Sequence, residues 1–104
     1  MRKSIKRYEL VAGALRSNIV SGRLQAGIVL LEGPIASLMK TSRAPVQAAL
    51  QILEKEKLIH RFGGRGYLVG RAGASVAPVR RDIGKLGLRI PNEINAALQN
   101  RGLW

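Results

Sequence analysis

Between Ser42 and Glu54 the chain reads Ser42-Arg43-Ala44-Pro45-Val46-Gln47-Ala48-Ala49-Leu50-Gln51-Ile52-Leu53-Glu54, and soon afterwards it continues as Arg61-Phe62-Gly63-Gly64-Arg65-Gly66-Tyr67. No other feature constrains the fold as tightly as this pairing. Val46, Ala49, Leu50 and Leu53 recur at helical steps and make one inward stripe, whereas Arg43, Gln47, Gln51 and Lys55 recur at four-residue steps on the opposite side. Ser42 is placed to accept a hydrogen bond from an otherwise unpaired N–H of this helix, and Pro45 falls in the first turn, where its missing N–H costs nothing. Downstream, Leu58 to Phe62 and Tyr67 to Val69 can pair as a hairpin. The Gly63-Gly64-Arg65-Gly66 tip offers positive φ angles and unobstructed backbone N–H groups.

Two further helices are expected upstream. Tyr8, Val11, Ala12, Leu15 and Ile19 recur at three- and four-residue steps, with Ser4 as N-cap and Gly22 as stop, and Lys6, Arg16 and Asn18 fall on the outer face. Such a face is ordinarily solvated, although its cations could touch phosphate. After a turn through Gly22 to Gly27, Ile28-Val29-Leu30-Leu31 reads as a brief strand. Glu32-Gly33-Pro34 then opens a second helix with Ile35, Ala36, Leu38 and Met39 on its buried side and an end near Lys40. A turn through Thr41 leads directly into the Ser42 helix. Two helices meeting across so short a turn make a helix-turn-helix, and the hairpin adds a wing. The expected fold is mainly α with a small β-wing: a winged helix-turn-helix of three helices and a hairpin, followed by a short helical C-terminal segment.

Charge narrows the partners. The 104 residues hold 18 Lys and Arg against 6 Asp and Glu, a formal net charge of +12, and a surface of that sign attracts phosphate. The excess is spread along the chain, so no basic tail accounts for it. The absence of cysteine rules out a disulfide framework and thiolate metal sites within these residues and fits a reducing compartment. Glu9 and Arg16 interrupt the apolar stretch that would make the basic start a signal peptide, and no stretch is long enough to span a bilayer. A cytoplasmic location and no membrane partner are expected.

In a helix-turn-helix, the start of the second helix enters the major groove while the first braces it across the backbone. Arginine can present paired donors to guanine O6 and N7, and glutamine can pair with adenine N6 and N7, so Arg43 and Gln47 are the candidates for direct base readout. Lys40, Thr41 and Ser42 suit phosphate contacts at a helix N-terminus. Pro45, Gln51, Arg61, Gly63, Gly64 and Arg65 complete the candidate DNA-binding set, Arg65 by reaching a phosphate or a minor groove from the hairpin tip. An ordinary wet helix face would show the same periodicity. The glycine cluster alone is weak too, lacking the Gly-Lys-Ser/Thr of a phosphate-binding loop and the spacing of a dinucleotide fingerprint.

At these residues the sequence resembles the bacterial GntR family of transcription regulators, above all the branch that includes fatty-acid- and carboxylic-acid-responsive members. The pieces occur in order: Ile19-Val20-Ser21-Gly22 with Gly27 after it, Ile35-Ala36-Ser37-Leu38 leading to Ser42-Arg43-Ala44-Pro45-Val46, then Ala49-Leu50, Leu53-Glu54, Leu58-Ile59 and Gly64-Arg65-Gly66-Tyr67-Leu68-Val69. The resemblance covers roughly residues 5 to 70. It implies a dimer on a palindromic double-stranded DNA operator, with Ser42, Arg43 and the Gly63 to Gly66 tip on the DNA, and a metabolite-responsive repressor in the full-length form. Many relatives carry arginine where Gln47 stands, glycine at Lys40, an apolar residue at Thr41 and a polar or charged one near Gly33. Glutamine at position 47 should favour adenine or water-mediated reading over guanine.

The resemblance also implies a larger C-terminal domain that binds a small-molecule effector and supplies most of the dimer interface, absent from these residues. The expected organisation is a winged domain over 1–70, a small-residue linker over 71–77 and a short helical segment over 78–104. In that last segment Ile83, Leu86, Leu88 and Ile90 form an apolar pattern, Pro91 can start a helix with Ile94, Ala97 and Leu98 inward, and the Leu103-Trp104 terminus points to a chain cut short. If left exposed, the segment should seek a second copy of the chain.

Enzymatic chemistry is not expected. His60 is the only histidine, and Glu9, Glu32, Glu54, Glu56, Asp82 and Glu93 form no recognisable acid-base pair or ligand set. His60 sits in an apolar run and reads as a strand residue with a satisfied ring. No cofactor is expected. Two other readings account for the charge: a small basic RNA-binding or architectural protein without sequence preference, and a winged helix used for protein contacts. The first would not require a capped helix with Arg43 and Gln47 on one outer face, and it would be expected to display more stacking aromatics than Phe62, Tyr67 and Trp104.

Overall fold

A computed structural model of the chain describes residues 6–64, 66–71 and 77–90. The elements run α1 (Arg7–Val20), β1 (Val29–Leu31), α2 (Glu32–Met39), α3 (Arg43–Lys55), β2 (Ile59–Phe62) and β3 (Gly66–Val69), followed by a 3-10 turn at Ile83–Lys85. The three strands form one antiparallel sheet in the order β1-β3-β2. This is the winged helix-turn-helix that the sequence predicts, with β1 closing the outer edge of the hairpin. The predicted final helix after Pro91 lies outside the described residues.

The core forms where the helical stripes converge. Val11, Ala14 and Leu15 from α1, Ile35 from α2, and Val46, Ala49, Leu50 and Leu53 from α3 are fully buried, and Leu30, Ile59 and Tyr67 close the cluster from the sheet. Burying each large aliphatic side chain contributes about 1.5–3 kcal/mol, so the α1–α3 contact is a large source of stability. Outside the core, Arg16 on α1 and Glu56 just after α3 form a bidentate pair at 2.8 and 2.7 Å. That hydrogen bond holds the Glu56 carboxyl below its ordinary range. Both groups are well exposed, which limits what the pair adds.

Three local expectations are corrected. The N-cap of α1 is Lys6 rather than Ser4: Glu9 in the first turn accepts the Lys6 N–H at 3.2 Å, so the helix starts later. Ser42 does occupy the N-cap of α3 with extended backbone, yet its hydroxyl makes no capping bond. Asn18, placed on the solvated face by periodicity, is 1% exposed. Its amide donates to the Ala14 carbonyl at 2.7 Å and the Arg89 carbonyl at 2.8 Å, and its Oδ1 accepts the Arg89 N–H at 2.8 Å.

Asn18 therefore pairs with Arg89 as a strand would, and it clamps the C-terminal stretch to α1. That stretch is also tied at its start. The Val29 N–H donates to Val79 at 3.0 Å and the Val79 N–H to Gly27 at 2.7 Å, a parallel bridge beside β1. Between these anchors Ile83 is buried, and Leu86, Leu88 and Ile90 pack against the same core. Ile83 is covered by its own domain, whereas Leu86, Leu88 and Ile90 are half-buried. Among the described residues no helix is long and apolar enough to cross a membrane.

The clamp yields a prediction. Asn18→Ala removes three hydrogen bonds, two of them to the partly buried Arg89 peptide groups, and should lower unfolding free energy by about 1–3 kcal/mol in urea titrations. A loss below a few tenths of a kcal/mol would mean that the clamp contributes nothing.

Candidate nucleic-acid interface

The turn between α2 and α3 is built by a lysine in an unusual backbone conformation. Lys40 adopts φ 54 and ψ 50 at the C-cap of α2, a left-handed geometry that normally goes to glycine. The Thr41 N–H returns to the Ala36 carbonyl at 3.0 Å, which closes the helix and redirects the chain into Ser42. The Thr41 hydroxyl also accepts from Arg7 Nη1 at 3.2 Å, fastening the start of α1 to the turn.

From Ser42 the helix shows its polar stripe. Lys40, Ser42, Arg43, Gln47, Gln51 and Lys55 are exposed, and Thr41 and Pro45 are half-buried. The stripe does not stand free of α2. Gln47 Nε2 donates to Glu32 Oε1 at 3.0 Å, and the Arg43 guanidinium lies across Gly33, where an added Cβ would stand 3.1 Å from Nη2. The first turns of α2 and α3 thus make one continuous surface.

The wing tip lies at the same end of the molecule. Leu31, the residue before Glu32, pairs with Gly66, which in turn pairs with Phe62 at the close of the hairpin. Gly66 is closely packed, since an added Cβ would stand 3.1 Å from Leu31 Cδ2 and Leu31 would have to give way slightly. Gly63 takes φ +66 and, with Gly64, leaves open space around the tip. Arg65 lies outside the described residues. Arg61 is turned back toward the domain, 3.8 Å from the Glu54 carboxylate and 5.5 Å from the centre of the Tyr67 ring. Burial pushes the Tyr67 phenol above its usual pKa, with Arg61 opposing the shift. Arg80 lines a shallow cleft with Phe62, Gly63 and Gly64.

The structure accordingly brings Lys40, Thr41, Ser42, Arg43, Pro45 and Gln47 together in one patch, continues along α3 through Gln51, and sets Gly63 and Gly64 at the same end. Arg7, Glu32 and Arg80 adjoin this surface and were missed by sequence reasoning. Their contacts join elements distant in sequence, and no local signal marks them. His60 is satisfied within the fold, its Nδ1 standing 2.9 Å from the Gly70 carbonyl.

A short helix-turn-helix, a second helix with a polar outward stripe, and a glycine-tipped hairpin beside its start define a winged helix-turn-helix domain. Residues 7–69 match the family described as bacterial regulatory proteins, gntR family, and the chain belongs to that family. It is 38% identical over 69 residues to the gluconate operon transcriptional repressor of Bacillus subtilis (strain 168), a match covering 66% of this chain and 28% of that protein. With the protein of the same name from Bacillus licheniformis it shares 43% identity over 49 residues, 47% of this chain and 20% of the relative. The chain thus spans only a minor part of the length of these relatives.

The left-handed lysine supplies a test. Lys40→Gly removes a Cβ penalty of roughly 1–2 kcal/mol that is partly offset by greater unfolded-chain freedom. The expected result is a net gain in unfolding free energy of about 0.5–1 kcal/mol; a destabilised variant would contradict the assigned backbone.

Proposed function

We propose that this chain is the operator-reading part of a cytoplasmic transcriptional repressor that binds a palindromic duplex as a dimer. Helix α3 enters the major groove, with Arg43 and Gln47 at base edges and Gln51 further along the groove wall. Lys40, Thr41 and Ser42 meet the phosphates beside the helix N-terminus, and the Ser42 hydroxyl, which makes no capping bond, is available for that contact. The hairpin tip, Gly63 to Arg65, approaches the adjacent phosphates or minor groove, with Arg61 behind it. In the longer protein, residues 1–70 act as the DNA-reading unit, and the chain beyond the 71–77 linker leads toward a domain that senses a small-molecule effector. The observation that supports the reading best is the division of α3 into a fully buried stripe and an exposed Arg43–Gln47–Gln51 stripe, next to an open glycine tip at the same end of the fold.

In this reading phosphate contacts supply most of the affinity and base contacts supply the discrimination, so binding weakens steeply with salt. Selection from a random duplex library, followed by anisotropy titration of the winner, scrambled DNA and single-stranded RNA at two salt concentrations, tests it. A palindromic winner is expected, and Arg43→Ala should cost about 1–3 kcal/mol on the winner while changing scrambled-DNA binding far less. Equal losses on both duplexes, or tighter RNA binding, would replace the operator reading with a general nucleic-acid binder.

A further inference from the structure

An acid within the reading surface of a chain with net charge +12 calls for an explanation. Glu32 opens α2, where a carboxylate favours the helix dipole, but that role does not require a partner on α3. Glu32 nevertheless accepts from Gln47 Nε2 at 3.0 Å. A carboxylate only accepts hydrogen bonds, so the Gln47 amide must turn its nitrogen toward Glu32, and one of its rotations is fixed before any ligand arrives. After that bond, Gln47 retains one N–H and its carbonyl oxygen, the donor and acceptor that adenine N7 and N6 require.

Guanine meets a different surface. It offers acceptors at both O6 and N7, and these would face the Gln47 carbonyl oxygen and the Glu32 carboxylate behind it. Glu32 enters no close ion pair: among the described residues the ion pairs are Arg16–Glu56 and Arg61–Glu54. On this surface the Arg43 guanidinium lies across Gly33, the residue after Glu32. A half-buried acid facing the groove also repels phosphates generally, so it should weaken binding to DNA that does not offer the correct base.

We propose that Glu32 is a specificity-determining positioning residue, which holds the Gln47 amide for adenine and disfavours guanine at the base that Gln47 meets. The inference rests on the operator reading of α3. It predicts a signature that a merely structural acid would not give, namely better binding to random DNA together with poorer discrimination.

The test uses the whole chain, as wild type, Glu32→Ala, Glu32→Gln, Gln47→Ala and the double variant Glu32→Ala/Gln47→Ala. The base met by Gln47 is the one whose preference disappears in Gln47→Ala, and a duplex with adenine replaced by guanine there is compared with the selected duplex and a random one. Wild type should discriminate against the guanine duplex by about tenfold or more. Glu32→Ala should lose most of that ratio while binding the random duplex a few-fold more tightly. Glu32→Gln, which can still accept through Oε1, should keep part of the ratio, and the double variant should discriminate no worse than Gln47→Ala alone. Unchanged discrimination in Glu32→Ala, or equal weakening on all three duplexes, overturns the inference while leaving the operator reading intact. A wild type without any base preference, or a Gln47→Ala that keeps every preference, defeats the reading of α3 and the role of Glu32 with it.

Discussion

The seam between α1 and α3 determines what the rest of the molecule can present. Val46, Ala49, Leu50 and Leu53 are fully buried there against Val11, Ala14 and Leu15, and a helix with that stripe inward has only one remaining face for solvent. Arg43, Gln47, Gln51 and Lys55 are outward because the apolar stripe is inward. The seam therefore sets both the stability of the domain and the direction in which its polar chemistry points.

The surface around that face is assembled by contacts that join distant elements. Arg7 fastens the interhelical turn through Thr41, Glu32 holds Gln47, and Gly33 leaves space over which Arg43 lies. β1 links this patch to the wing, since Leu31 both pairs with Gly66 and immediately precedes Glu32. Asn18 and the Val79 bridge bind the C-terminal stretch to α1 and to the sheet edge.

Much of this architecture is legible in the sequence because it obeys strong periodicities. The α3 stripe, the hairpin with its glycine tip and the proline-opened α2 each follow from local chemistry, and the outward set Arg43, Gln47 and Gln51 follows from the same period. What escapes such reading is tertiary. Asn18 falls on a polar position of its helix, yet it is buried and bonded to Arg89, which arrives from far along the chain. Lysine is a poor predictor of left-handed backbone, so the closure of α2 at Lys40 is recognisable as an end but not as a conformation. Ser42 shows the converse: its type and position indicate a cap, yet the hydroxyl is not used as one. Glu32, Arg7 and Arg80 join the candidate surface through folded proximity alone.

In the proposed function the exposed stripe of α3 and the wing tip form a single DNA-contacting surface. Amide chemical-shift mapping of the chain during titration with its selected duplex tests this most directly. Perturbations are expected to concentrate at Lys40 to Gln51 and at Phe62 to Gly64, with Arg16, Glu56 and Arg89 little changed. Perturbations centred on α1 and the Arg89 stretch, with α3 silent, would contradict it.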